Sequence, residues 1–184
     1  ILQVFSGNNF LMESFENKLK KGGQIVVVCF GTPTVNGDSF GPRVGSFFKE
    51  NNLPCFVYGT LENPVTARNM EEYISFVKRV HEGDVILSVD ASLGKRERIG
   101  KIAVRTDGVC PAGIKGEKRR FGDVGVLGVV GDKDTDHISA LLTANIDKVS
   151  KMADKVAVMI KDAVEQILTC TTKSQPKSPE IIFK

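Results

Sequence analysis

The chain has 184 residues, a formal net charge of +3 and 41% apolar residues. That length and composition suit one domain with its own core, and they argue against intrinsic disorder and against a surface dedicated to nucleic acid. No apolar stretch reaches the roughly 18 residues that span a bilayer and no signal peptide is evident, so we expect a cytoplasmic protein without a membrane partner.

The first half of the chain alternates between amphipathic segments and short apolar runs. The spacing predicts a helix over 9–20, and the apolar run 24–30 predicts the first strand. A helix is predicted from about Pro42 to Asn52, because proline suits a first helical turn. A second strand at 55–58, a helix at 69–81 and a third strand at 85–89 follow.

The second half is predicted to add two strands and a long helical tract. The strands occupy 101–106 and 123–130, with a long loop at 107–122 between them. An N-cap at 134–136 starts the helical tract, which we expect to break near 143–145. Residues 1–170 would then form a single domain, and 171–184 a C-terminal tail.

The order of these elements predicts an α/β fold. Helices separate the first three strands, which is typical of parallel strands joined by crossover connections. Fully apolar strands indicate a sheet that is covered on both faces. The sequence therefore predicts a three-layer α/β/α sandwich with a mostly parallel central sheet.

Three acidic residues follow the three predicted strands in turn: Asp38, Glu62 and Asp90. Ligands bind in the crevice at the carboxyl ends of the strands of an open α/β sheet, so we expect these carboxylates to converge there. Two of them could divide into an acid and a base for hydrolysis, or the group could bind a divalent cation. Each also has a simpler interpretation: the aspartates as turn or cap residues, and Glu62 as a partner of Arg68.

Polar residues near these carboxylates are candidates for binding substrate or supporting the site. A helix that starts near Pro42 would direct free N–H groups at the crevice, which suits an anion or an oxyanion. Glu62 could orient a substrate amine, and nearby amides could donate hydrogen bonds. The candidates are Thr32, Asn36, Ser39, Glu62, Asn63, Arg68, Asn69 and Ser92.

The histidines, cysteines and basic clusters are expected to lie outside this site. His81 ends a predicted helix at the opposite end of the third strand. His137, in the first turn of a predicted helix, could reach the site, but we expect it to face solvent. The four cysteines are widely spaced and predict buried structural thiols. The basic clusters at 95–98 and 118–120 could attract an acidic partner or form ordinary solvated surface.

Three segments carry a resemblance to a known family: 37–42 (Gly-Asp-Ser-Phe-Gly-Pro), 58–65 (Tyr-Gly-Thr-Leu-Glu-Asn-Pro-Val) and 89–94 (Val-Asp-Ala-Ser-Leu-Gly). In this order they closely resemble the YyaC-like sporulation proteins of spore-forming Firmicutes, over about residues 20 to 165. That family is similar to spore-germination proteases and hydrogenase-maturation endopeptidases. The resemblance therefore implies their phosphorylase/hydrolase-like α/β fold.

The resemblance also implies a function. In germination proteases, an Asp just before a Gly-Pro and a later Asp-Ala are implicated in peptide hydrolysis, and Asp38 and Asp90 match these positions. They are the implied catalytic pair of a sporulation-associated endopeptidase of the aspartic type, which would act on a protein or peptide in the forespore or mother cell. In hydrogenase-maturation peptidases the equivalent acids and a histidine bind nickel; we assign no residue of this sequence to that histidine.

Two alternatives to a peptidase without a cofactor remain open. One is a catalytically silent module that uses the same cleft to bind a peptide or a metal. The other is a metal-dependent hydrolase with a divalent cation at Asp38, Glu62 and Asp90. Sensitivity to a chelator would separate the second alternative from an aspartic peptidase.

Overall fold

The computed structural model describes residues 17–111 and 120–173, with a five-stranded sheet at the centre. Neighbouring strands are parallel except for the last two in sequence, which are antiparallel. The predicted α/β fold with a mostly parallel sheet is confirmed. The strands are β1 (Ile25–Cys29), β2 (Phe56–Tyr58), β3 (Val85–Gly94), β4 (Ile102–Arg105) and β5 (Val124–Asp132), in the spatial order β2-β1-β3-β5-β4.

Among the described residues, the helices are α1 (Phe40–Glu50), α2 (Met70–Val80), α3 (His137–Leu142) and α4 (Ile146–Lys173). The break predicted near 143–145 is confirmed between α3 and α4. Residues 17–20 are helical, but the rest of the helix predicted over 9–20 lies outside the described residues. The same holds for most of the predicted tail, because α4 continues to Lys173 and the description ends there.

Helices cover both faces of the sheet, as the fully buried sequence of β1 requires. On one face α1 and α4 pack against alternate strand residues such as Val27, Leu87 and Val126. On the other face α2 and the bridged pair Val109 and Phe121 pack against the intervening residues. In the part of the chain that the structure describes, no helix is both long and apolar enough to cross a membrane.

Two glycines let α1 approach the sheet at backbone distance. A Cβ at Gly41 would collide with the carbonyl oxygen of Phe30, and a Cβ at Gly45 would collide with that of Gly59. Because these neighbours are backbone atoms, they cannot move aside as a flexible side chain could. The spacing of four residues puts both glycines on one face of the helix, which therefore packs against the backbone just beyond the ends of β1 and β2.

The strand order creates a switch point between β1 and β3. From β1 the chain moves outward to β2 on one side, and β3 then returns to pair with the other side of β1. The connections that leave β1 and β3 at their carboxyl ends therefore diverge, and a crevice forms between them.

Candidate active site

A cavity of about 220 Å³ lies at the carboxyl ends of β1 and β3. The polar side chains that line it are those of Asp38, Asp90, Ser92 and His137. A few convergent polar groups inside apolar walls are typical of a small-molecule or peptide site. The apolar walls come from Phe30, Ala67, Met70, Leu93, Pro111 and Leu141.

Asp38 is oriented by the backbone of the loop that follows β1. Its Oδ2 atom accepts a hydrogen bond of 2.7 Å from the backbone N–H of Thr32. Gly31, with φ of 141°, packs so closely against the Asp38 carbonyl that no Cβ would fit between them. The residue at the N-cap of α1 is Ser39, so the interpretation of Asp38 as a helix cap is wrong. Asp38 instead closes its own loop and reaches the cavity half-buried.

Asp90 lies within β3, because that strand runs five residues past the predicted end at 89. Its backbone pairs with Leu127 of β5, and its side chain is only 9% exposed. The Oδ1 atom accepts a hydrogen bond of 2.8 Å from the backbone N–H of Ala91. The side chain therefore does not cap the turn at Ser92, which was the simpler interpretation.

Burial raises the pKa of the Asp90 carboxyl well above its usual range, and the nearby charge of Asp38 raises it further. The N–H of Ala91 opposes this rise but does not cancel it. Two carboxyls that share a cavity and repel each other's charge favour a state in which one is protonated and the other ionised. Asp90 is the more deeply buried of the two, so it is the carboxyl whose protonated form burial favours.

Glu62 does not join the aspartates, so the expectation of three converging carboxylates is wrong. Its Oε2 atom lies 3.0 Å from Nζ of Lys49 on α1, and its side chain is 77% exposed. Neither the predicted pairing with Arg68 nor a role beside the aspartates is realised. The cause is the position of β2, which lies on the far side of β1 from the crevice.

Other candidates in the segment after β2 stabilise that segment instead of lining the cavity. Asn63 and Arg68 are exposed. The Oδ1 atom of Asn69 accepts a 2.7 Å hydrogen bond from the N–H of Thr66, and its Nδ2 donates to the carbonyl of Pro64. From this segment only Ala67 and Met70 reach the cavity wall.

Candidates in the loop after β1 hold that loop in place. The hydroxyl of buried Ser39 donates to the carbonyl of Asn36 at 2.7 Å and accepts from Nε of Arg43. Asn36 in turn donates to the carbonyl of Ala144, between α3 and α4. These contacts connect the loop that carries Asp38 with the helix that carries His137. Of the predicted supporting residues, Ser92 is among those that line the cavity.

His137, which was expected to face solvent, is both exposed and part of the cavity lining. It is the first residue of α3 and follows the N-cap Asp136, whose carboxylate accepts from the N–H of Ser139. The N-cap after the last predicted strand was the sequence signal for this helix. The sequence did not reveal that β5 pairs with β3, and this pairing brings α3 over the crevice. His81, as expected, lies elsewhere: its Nδ1 is 2.7 Å from Asp84 and its Nε2 is 2.8 Å from the Tyr58 hydroxyl, near the start of β3.

The long loop at 107–122 is anchored at both ends. Val109 and Phe121 are buried and hydrogen-bond to each other's backbone. The hydroxyl of Ser88 accepts from the N–H of Val109 and donates to the carbonyl of Phe121. Pro111 thereby reaches the cavity wall. The middle of the loop, 112–119, lies outside the described residues.

The donor set predicted for a divalent cation is not assembled, because Glu62 is paired with Lys49. Among residues 17–111 and 120–173, no three His, Cys, Asp or Glu side chains are arranged to bind a metal ion. The three carboxylates expected at this metal site therefore do not lie together.

Cavity and fold together define an α/β protein with a pair of carboxyls at the switch point of its sheet. Residues 4–159 match the family described as Protein of unknown function (DUF1256), and the chain belongs to that family. It is 35% identical over 138 residues to the Uncharacterized protein YyaC of Bacillus subtilis (strain 168), a match covering 74% of this chain and 67% of that protein. The resemblance to YyaC-like proteins is confirmed.

Solved structures share the fold at low sequence identity. The [NiFe] hydrogenase maturation protease HycI from Thermococcus kodakarensis KOD1 superposes with a TM-score of 0.52 at 16% identity, covering 77% of this chain and 92% of that one. A peptidyl-tRNA hydrolase superposes with a TM-score of 0.54 at 13% identity, covering 85% of this chain and 96% of that one. One is a protease and the other a hydrolase of another kind, so the likeness establishes a common fold.

Proposed function

We propose that the protein is a sporulation-associated endopeptidase in which Asp38 and Asp90 hydrolyse a peptide bond. The observation that carries the proposal is the cavity at the switch point, where buried Asp90 has a raised pKa beside Asp38. Perturbed acids in a cleft are a frequent mark of catalytic groups. The sporulation context rests on the resemblance of the segments 37–42, 58–65 and 89–94 to YyaC-like sporulation proteins.

The two carboxyls would have different tasks. Ionised Asp38, oriented by the N–H of Thr32, accepts a proton from a water molecule that attacks the peptide carbonyl. Protonated Asp90 donates its proton to the leaving amine as the C–N bond breaks. The attacking water supplies the hydroxyl of the new carboxylic acid. His137 and Ser92 lie at the same cavity and would hydrogen-bond the substrate backbone.

The test is to incubate the pure protein with an extract of sporulating cells and to identify new peptide termini by mass spectrometry. Wild-type protein should generate specific new termini, and Asp38→Asn or Asp90→Asn should reduce their rate of appearance by about 10²-fold or more, the usual contribution of one acid or base. Asp154→Asn is the matched control, because Asp154 is an exposed aspartate on α4 away from the cavity.

Three outcomes contradict the proposal in different ways. Termini that persist in both cavity variants would indicate a contaminating protease. Proteins retained by the wild type but never cleaved would favour the alternative of a catalytically silent binding module. Cleavage that is lost on adding a chelator and restored by a divalent cation would favour a metal-dependent hydrolase.

A further inference from the structure

A second cavity, of about 300 Å³, lies on the other side of α3 from the aspartates. None of the residues that line it lines the first cavity. The floor is apolar and is formed by Val129, Val130, Ala140, Val149 and Met152. The volume is at the lower end of the range for ligand pockets, so it suits one large apolar side chain better than a whole cofactor.

Two of the three charged residues that line this cavity are cations. Arg96, whose side chain is 86% exposed, pairs with Asp132 at 2.9 Å. Within the described part of the chain, the ammonium group of Lys148 has no hydrogen-bond or ion-pair partner. The adjacent segment 95–101 is exposed and contains Lys95, Arg98 and Lys101, against one acid, Glu97. The turn at 132–136 on the other side carries three acids against one lysine, so the positive charge of this rim is concentrated at 95–101 and at Lys148.

Exposed apolar side chains connect the two cavities. Ile138 and Leu142, four residues apart on α3, are 67% and 51% exposed, and Ile99 at the second cavity is 39% exposed. His137 and Leu141 of the same helix face the first cavity, and Ala140 faces the second. The short helix α3 therefore lies between the two cavities, and its exposed surface is apolar at Ile138 and Leu142. Grouped exposed apolar residues with a charged rim are typical of a protein-binding surface.

We propose that the second cavity is a docking site for an acidic protein segment, which inserts an apolar side chain between α3 and α4. The apolar floor accepts that side chain, and Lys148 with the cations of 95–101 binds the flanking carboxylates. A small free anion would leave the apolar floor unfilled. A second copy of this chain would bring the same positive rim and would be repelled.

The experiment measures binding directly and is independent of any peptidase activity. The probe is a fluorescein-labelled peptide, Asp-Glu-Asp-Leu-Glu-Asp-Glu, followed by fluorescence anisotropy at low salt. We expect saturable binding that weakens as salt screens the rim. Lys148→Glu should weaken binding about tenfold. Ile99→Ser, which removes apolar surface at the mouth, should also weaken it.

The matched control is Lys155→Glu, which makes the same charge reversal two turns further along α4, outside the cavity lining. It should change the affinity less than twofold. A peptide with serine in place of its leucine should bind at least about tenfold more weakly, since one buried aliphatic side chain is lost. That comparison needs no protein variant and holds even if Ile99→Ser fails to fold.

The proposal is overturned if the wild type shows no saturable binding. It is also overturned if Lys148→Glu and Lys155→Glu weaken binding equally, because the attraction would then be a general charge effect. Equal affinity for the leucine and serine peptides would show that the cavity takes no side chain. Displacement by inorganic phosphate at constant ionic strength would indicate a small-anion site instead.

Discussion

At the scale of single residues, Asp90 combines a buried position with an acidic side chain. Within the described residues, its carboxylate accepts one hydrogen bond, from the adjacent N–H of Ala91. That bond stabilises the ionised form less than burial and the Asp38 charge destabilise it, so the pKa rises. Folding therefore favours the protonated form of Asp90, and an ionised Asp90 lowers the free energy of unfolding.

Replacing Asp90 with asparagine should stabilise the protein at neutral pH. Asp90→Asn keeps an oxygen for the N–H of Ala91 and is neutral without taking up a proton on folding, so we expect a melting temperature several degrees higher. Because the folded-state pKa is raised, the destabilisation by Asp90 is absent below the unfolded pKa and grows as the pH rises through the folded pKa. The gain should thus shrink as the pH is lowered toward the usual carboxyl range, as thermal melts across a pH series would reveal.

A lower melting temperature for Asp90→Asn at neutral pH would contradict this account and assign Asp90 a structural role. Asp154→Asn is again the control, and its melting temperature should not depend on pH in the same way.

At the scale of elements, the contact of α1 with the sheet determines where Asp38 lies. Gly41 and Gly45 allow the helix to approach the backbone at Phe30 and Gly59, and the loop between β1 and α1 is closed as a result. The same loop is held to the α3–α4 junction by Asn36. The contact between α1 and the sheet therefore affects both the stability of the fold and the geometry of the cavity.

Gly45→Ala should destabilise the fold by at least about 2 kcal/mol. Alanine is favoured over glycine in a helix by roughly 0.5–1 kcal/mol, but here the new methyl group would collide with the Gly59 carbonyl, a backbone atom that cannot yield. Urea unfolding measures the difference. Glu50→Ala, at an exposed position of the same helix, should stay within about 0.5 kcal/mol of the wild type. A neutral or stabilising Gly45→Ala would refute the close contact.

At the scale of the whole molecule, one ion pair connects parts of the chain that are 105 residues apart. The ammonium of Lys18 lies 2.9 Å from Oδ1 of Asp123 and also donates to the carbonyl of Asp84. Asp123 accepts a further hydrogen bond from the N–H of Ile86. The helical residues 17–20, the start of β3 and the start of β5 are joined at the end of the sheet opposite the cavity that holds the aspartates.

Lys18→Met should lower the free energy of unfolding by about 1 kcal/mol, since the half-buried pair is partly screened by solvent but also satisfies a carbonyl. The exposed neighbour Lys21 provides the control substitution Lys21→Met, for which we expect little change. Chemical denaturation of both variants measures the difference. Because this pair is remote from the cavity, peptide cleavage by Lys18→Met below its melting temperature should equal that of the wild type.

Local patterns were sufficient for much of this fold. Apolar runs predicted all five strands, and the change in pattern near 143–145 predicted the break before α4. Asp38 and Asp90 could be placed near one crevice because the rule for parallel sheets depends only on which end of a strand a residue follows. The extension of β3 past Asp90 was not predictable, because polar residues there are retained in the strand by pairing with β5.

What the sequence by itself determined is therefore the α/β class and the two aspartates at the carboxyl ends of β1 and β3, because hydrophobic periodicity and strand ends are local properties. Only the tertiary structure decided which other groups join them. The position of β2 beyond β1 sends Glu62 to Lys49, and the pairing of β5 with β3 brings His137 to the cavity. The second cavity also arises only from the packing of α3 and α4 on β5. Strand order and helix docking depend on contacts between distant residues, which no local pattern contains.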